Sequence, residues 1–261
     1  MAALATSTWV VGGAAISAQA FDGVDARLSR YSYLVSLLPT RILDDLGAQI
    51  RLARRTYSSY TPNPSDGGRT GLLIGPPSSF AAVDAAIDEA AFAEFYRRCR
   101  LVTEPLWPTL TDPLISRSEA RSRVLAGGDD AGAAWEALVE KPIGEAITSC
   151  FSSDLVRGVV ATDALIGTFA DLGDESLRQN VCFLYHLLGG GVGIWDVPIG
   201  GMGAVTGALA DAARGFGADI LTGAEVLSVS PDGEVRYRVG DDEHRVAARF
   251  VLANVTPVVL A

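Results

Sequence analysis

The sequence predicts a mixed fold, α/β in the broad sense and α+β in detail, with a long helical stretch set between two β-containing ends. Two observations carry this. Runs with helical spacing or capping signals succeed one another from Ser79 to Leu188. From Gly217 to Ala253, and in Ile50–Ile74, short β-rich runs alternate instead with glycine, proline and aspartate turns. An order of mixed, helical, mixed implies a discontinuous domain, with expected boundaries at 1–47, 48–197 and 198–261.

Taken in order, Val10–Ser17 reads as a strand end entering a loop. Leu38-Pro39 breaks the chain, Thr40 caps a short helix over Arg41–Leu46, and Gly47 stops it. Ile50–Tyr60 reads as a strand, Thr61–Gly68 as a turn cluster, and Thr70–Ile74 as the returning strand. Ser79–Val102 carries alanines and Tyr96 at helical spacing, with Ser79 as N-cap and Pro105 beyond its end. Ser116–Leu125, Ala131–Val139, Ile143–Cys150, Ser153–Ile166 and Ser176–Leu188 read as further helices. Ala204–Phe216 places Val205, Leu209, Ala212 and Phe216 on one helical stripe, ended by Gly217. Strands are then expected over Asp219–Leu221, Glu225–Ser230, Glu234–Val239 and Arg245–Ala253.

Composition removes several function classes. The 261 residues carry a formal charge of −10, which argues against nucleic acid or an anionic membrane as partner. Cys99, Cys150 and Cys182 are far apart and form neither a disulfide framework nor a thiolate metal site, so no metal is expected. With only His186 and His244, chemistry that needs several imidazoles is excluded. Met1–Trp9 lacks the basic region and apolar core of a signal peptide, and Val181–Gly193 is too short and glycine-rich to span a bilayer. A soluble, cytoplasmic protein is the expectation. The mean hydropathy of +0.26 fits a large core or an apolar substrate cavity, with alanine contributing part of it.

The loop Gly201-Met202-Gly203 opens a helix and partly imitates a dinucleotide-binding fingerprint, with Glu225 about twenty residues on. Its context argues against that role. Asp196 and Pro198 occupy the place of a buried parallel strand, and Thr206 replaces the third glycine. The simpler reading is a tight passage where glycines let the backbone approach another surface. His186 lies in an apolar helix and reads as a core histidine, and His244 reads as solvated in a charged turn. Asp84, Asp88, Glu89 and Glu94 read as a solvated helix face. Trp195 is either cavity wall or core. No motif supplies acid–base or nucleophilic chemistry from the protein itself, so no catalytic residue is assigned and the chemistry points to a cofactor.

Several segments, in this order, resemble the phytoene desaturase-like branch of the FAD-dependent amine oxidase superfamily, and within it the pyridine nucleotide-disulfide oxidoreductase domain-containing protein 2 group. Gly12-Gly13-Ala14-Ala15 is similar to that family's second flavin motif, and Leu43-Asp44-Asp45-Leu46-Gly47 to its step into the substrate domain. Pro198-Ile199-Gly200-Gly201-Met202-Gly203 is similar to its P-x-G-G-M-G return passage. Gly217–Ile220 with Val226–Val229 resembles the strand pair near the adenosine, and Val251–Pro257 the V-x-x-N-x-x-P strand end near the cofactor.

The resemblance implies part of an FAD/NAD(P)-binding domain of glutathione-reductase type, with a β-meander, plus a mainly helical substrate domain. It implies FAD as cofactor, bound by Gly12, Gly13, Ala14, Val226 and Asn254. It implies a small or apolar organic substrate in a cavity bordered by Trp195, Gly200, Gly201 and Met202. The family opens with a strand, G-x-G-x-x-G, a helix and a strand ending in an acid, and it continues past the N-x-x-P strand. Met1–Trp9 holds neither glycine nor acid. The chain is therefore expected to be an internal segment that binds FAD weakly or not at all, and that associates through surfaces the other segments would cover. The alternatives are a non-catalytic remnant or partner-binding fragment, and an NAD(P)-dependent enzyme using the Gly201–Gly203 loop.

Overall fold

The computed structural model describes residues 2–6 and 10–260. The strands are β1 (Ala2–Thr6), β2 (Ser17–Gln19), β3 (Arg27–Ser29), β4 (Leu52–Ala53), β5 (Ser59–Pro62), β6 (Gly71–Ile74), β7 (Val197–Pro198), β8 (Ala218–Thr222), β9 (Ala224–Val229), β10 (Glu234–Val239) and β11 (Asp242–Ala247). The α-helices are α1 (Thr40–Leu46), α2 (Asp88–Leu106), α3 (Arg117–Leu125), α4 (Asp129–Trp135), α5 (Ile143–Cys150), α6 (Asp154–Leu165), α7 (Arg178–Leu187), α8 (Met202–Gly215) and α9 (Pro257–Leu260). Helices with several small sheets make this an α+β chain, as expected. It divides into two compact units: Met1–Leu34 with Arg41–Ala53 and Val197–Ala261, and Val35–Thr40 with Arg54–Asp196.

The second unit is mainly helical. Phe95, Cys99 and Val102 of α2, Ile143 and Ile147 of α5, Val156 and Val160 of α6 and Phe183 of α7 are buried in one cluster. Burial pushes the Cys99 thiol well above its usual range, which leaves it an inert core residue. Asn180 is buried at the start of α7. Its Oδ1 accepts from Ile143 N–H at 3.1 Å, and its Nδ2 donates to Leu138 O at 2.9 Å and Lys141 O at 2.7 Å.

The helix expected over Ser79–Val102 starts later. Ser79 Oγ accepts from Leu73 N–H at 2.7 Å and donates to Gly71 O at 2.8 Å, so it is committed to β6 and does not cap a helix. A 3₁₀ turn over Phe80–Val83 follows, Asp84 takes φ +56°, and α2 begins at Asp88. Asp88 is buried and not part of a solvated face. Its carboxylate accepts the N–H of Ser152 at 2.9 Å and of Ser153 at 2.8 Å, tying α2 to the entry of α6. Asp88→Asn keeps one acceptor and loses the other, and is expected to cost about 1–2 kcal/mol in urea unfolding of this unit.

The strand expected over Ile50–Tyr60 is two strands with different partners. β4 pairs with β7 and β5 with β6, all antiparallel. Between them Arg55 turns the chain, donating from Nε to Trp195 O at 2.8 Å and from Nη1 to Ser58 O at 2.8 Å. The turn cluster before Thr70 is present, with Asp66 accepting from Arg69 N–H, Thr70 N–H and Thr70 Oγ1.

In the first unit, β1 pairs in parallel with β8, from Ala2↔Ala218 to Thr6↔Thr222. Met1–Trp9, read from sequence as lacking the opening strand, glycine loop and helix of the family, thus contains a strand at Ala2–Thr6. Val10 to Ala15 is bend and turn and not a strand end, with Ala15 N–H closing on Gly12 O at 2.8 Å. The meander β9–β10–β11 is antiparallel throughout. Its last strand starts at Asp242, three residues earlier than expected, because the turn between β10 and β11 is only Gly240-Asp241. His244 consequently lies in a strand, stacked on Tyr237 at 5.3 Å. Beyond Ala248 no described strand pairs with residues 250–253, so the N-x-x-P segment is irregular and Asn254 is exposed. On α8, Val205 is buried as expected, but Phe216 lies past the helix end and is 72% exposed.

Candidate functional site

The glycine passage before α8 is built against the β2–β3 hairpin. α8 has glycine, not serine, threonine, aspartate or asparagine, at its N-cap, so its first amides need acceptors from elsewhere. Two serines provide them. Met202 N–H donates to Ser29 Oγ at 2.9 Å, and Gly203 N–H to Ser17 Oγ at 3.0 Å. Ser17 Oγ in turn donates to Gly200 O at 2.9 Å. Gly201 has φ +73°, and a Cβ placed there would sit 2.3 Å from Ser17 Oγ. A Cβ at Gly203 would sit 3.0 Å from Ser17 N. The surface that these glycines let the backbone approach is therefore the chain's own hairpin, and the amides that would cradle a pyrophosphate at Gly201–Gly203 are already engaged.

The turn at Gly12–Ala15 is different. Gly12 has φ +116°, and a Cβ there would meet Ala15 O at 2.8 Å and Thr206 Cγ2 at 2.8 Å. The turn is thus buttressed from α8, whose Thr206 Oγ1 lies 3.2 Å from Ala15 O as donor. At Gly13, with φ +56°, a Cβ would meet no atom of the described residues within 4 Å. Gly13 and Ala14 are exposed, and among the described residues neither backbone N–H finds an acceptor. Two adjacent amides without a described acceptor are available donors for an anion. Val226 lies on β9 opposite Tyr237. Among the described residues no hydrogen bond joins Val226 or Asn254 to the Gly12–Ala14 turn. Ser17 and Ser29 were not singled out in the sequence. The one signal for them was the missing cap residue on α8.

In the second unit, Trp195 is held in place by its neighbours. Its ring stacks on His186 at 5.6 Å and 22°, and its Nε1–H donates to His186 O at 2.9 Å. Its carbonyl accepts from Arg55. Asp196 beside it is buried, 3.0 Å from Arg54 Nε, and is bridged to Val35 through both backbone groups. His186 Nδ1 donates to Cys182 O at 2.8 Å. Nearby, burial holds the Asp163 carboxyl above the usual range, with His186 partly opposing it. Burial, then the Asp163 charge, pushes the Tyr96 phenol well above its ordinary value.

A carboxyl whose folded-state pKa is raised contributes stability below its unfolded pKa and loses it as pH rises through the folded value. Asp163→Asn removes this loss. Its expected result is a higher Tm than the parent at pH 7, with the difference shrinking as pH falls through the raised folded-state value toward the normal carboxylate range and unchanged below that range, read by thermal melts across pH.

No protein-family model matches the chain. Among the described residues, no helix is long and apolar enough to cross a membrane. The chain is 61% identical over 259 residues to an uncharacterized protein of Mycobacterium tuberculosis. It is 30% identical over 284 residues to the pyridine nucleotide-disulfide oxidoreductase domain-containing protein 2 of Mus musculus. Each match covers 96% of this chain and 48% of the relative, so the chain spans about half the length of the curated relatives it matches. Among solved structures, an oxidoreductase from Methanosarcina mazei aligns with a TM-score of 0.49 at 14% identity, over 93% of this chain and 50% of that one. Cyclohexylamine oxidase from Brevibacterium oxydans aligns with a TM-score of 0.46 at 14% identity, over 93% and 50%. In sequence, then, the chain is similar to about half of a longer protein whose name carries an oxidoreductase domain.

Proposed function

We propose that this chain is part of an FAD-dependent oxidoreductase of the dehydrogenase or desaturase type, acting on a small or apolar organic substrate. The observation that supports this most directly is the Gly12–Ala14 turn. It presents the N–H groups of Gly13 and Ala14 to solvent and is held from behind by Thr206. Such a turn suits a phosphate oxygen of a dinucleotide. The similarity to the oxidoreductase-domain relative over 96% of the chain points the same way.

Bound there, FAD supplies hydride acceptance, which no side chain described here can supply. The chain's own part is to bind and orient. Gly12 sets the turn, and Gly13 and Ala14 donate from the backbone. Val226 and Asn254 are assigned to the same cofactor by resemblance. By resemblance, Gly200, Gly201 and Met202 are assigned to the surroundings of the substrate.

The test is a titration of the purified chain with FAD, followed by visible absorbance and flavin fluorescence. Weak, saturable binding is expected, reduced about tenfold or more in Gly13→Asp, whose carboxylate repels phosphate from a left-handed position that aspartate tolerates. Equal binding to parent and variant, or none to either, overturns the assignment. Binding of NADP that is lost in Gly203→Asp transfers it to the α8 loop.

A further inference from the structure

Among the described residues, the side chain that holds the Gly12–Ala15 turn from outside it is that of Thr206 on α8. Its hydroxyl has a single proton to donate. Three carbonyls compete for it: Ala15 O at 3.2 Å, and Met202 O and Gly203 O at 3.3 Å each. The last two lie in the first turn of α8, where backbone N–H groups four residues on supply their donors. Among the described residues no other donor reaches Ala15 O. The proton is therefore worth most on Ala15 O, away from the helix.

Ala15 is also the residue that closes the turn, its N–H donating to Gly12 O at 2.8 Å. The peptide that follows Gly12 is trans. In a trans peptide the C=O and the next N–H point in opposite directions. A Gly12 carbonyl turned in toward Ala15 thus turns the Gly13 N–H outward. Ala15 is held through both backbone groups, its N–H by the turn and its C=O by Thr206. Gly12 makes the approach possible, since a Cβ there would lie 2.8 Å from Thr206 Cγ2 and 2.9 Å from Thr206 Oγ1. Thr206 is itself placed by the first turn of α8, which Ser17 and Ser29 hold through the Gly203 and Met202 amides.

We propose that Thr206 is a positioning residue for the anion-binding turn: through Ala15, its hydroxyl sets the direction of the Gly13 N–H and so the grip of the turn on a phosphate oxygen. The phosphate rests on the flavin assignment made above, whereas the hold of Thr206 on the turn is measurable without a ligand.

The experiment compares the parent chain with Thr206→Val, which keeps the branched shape and removes the hydroxyl, and Thr206→Ser, which keeps the hydroxyl. Amide hydrogen exchange of Ala15, Met202 and Gly203 is followed by NMR without ligand, and Kd for FAD is then measured by flavin fluorescence. In Thr206→Val, Ala15 is expected to exchange at least about threefold faster, with Met202 and Gly203 changed less than about twofold. Its Kd for FAD is expected to rise about threefold to tenfold. Thr206→Ser is expected to restore both readouts to within about twofold of the parent. Unchanged exchange at Ala15 in Thr206→Val overturns the proposal. So does faster exchange at all three amides that serine does not rescue, which marks a loosened helix, or an FAD affinity that is equal in all three chains. If the parent binds no FAD, the flavin assignment falls, and serine-rescued exchange confined to Ala15 still supports the positioning role.

Discussion

Asn180→Leu is expected to lower the stability of the helical unit by about 3–5 kcal/mol, the largest single effect among the substitutions considered. The side chain fits in volume, so the loss does not come from a cavity. It comes from three backbone groups at once. Ile143 N–H and Leu138 O bond to the Asn180 amide in buried positions, and Lys141 O bonds to it in a part-buried one. Each group left buried and unpaired costs about 1–3 kcal/mol. The amide also joins the end of the π-helical turn over Glu136–Glu140 to the starts of α5 and α7. Urea unfolding monitored by helical circular dichroism measures the loss. A change under about 1 kcal/mol means the three groups find other partners.

Gly201→Ala is expected to cost about 3 kcal/mol in the first unit and to release the start of α8. Two causes add. Alanine at φ +73° takes on a left-handed penalty of roughly 1–2 kcal/mol. Its Cβ also falls 2.3 Å from Ser17 Oγ, which must leave the position where it serves both Gly200 O and Gly203 N–H. Hydrogen exchange of the Met202 and Gly203 amides reports this directly, because both are held by serine hydroxyls and exchange once those move. Unchanged exchange there means the hairpin is not what caps the helix.

Helices were legible where the pattern is local. Gly47 ends α1 as read, in a left-handed turn, and α3 falls within the Ser116–Leu125 run, with Ser116 as its cap. Ser79 had the same local signature and failed, since a strand eight residues before it had already claimed its hydroxyl. Asp88 failed for a related reason. Its spacing belongs to an exposed helix face, but it is the first residue of α2, and two amides from 64 and 65 residues away reach it. The P-x-G-G-M-G passage was visible as glycines needing room, whereas the serines that fill the room were not, because they lie more than 170 residues earlier. Local patterns carry propensity and capping. They carry no information about which distant group arrives first.

The pairing of β1 with β8 has a kinetic consequence. Ala2 meets Ala218, so β1 cannot pair with β8 until the residues up to Thr222 have been made. At about 5–20 residues per second, synthesis of the intervening segment takes roughly 10–40 s. The helical unit is nearly continuous in sequence, so its residues are all made within that interval, while β1 waits for β8. Slowing translation between residues 54 and 196 therefore lengthens the wait of β1 for β8 without touching the stability of the finished fold.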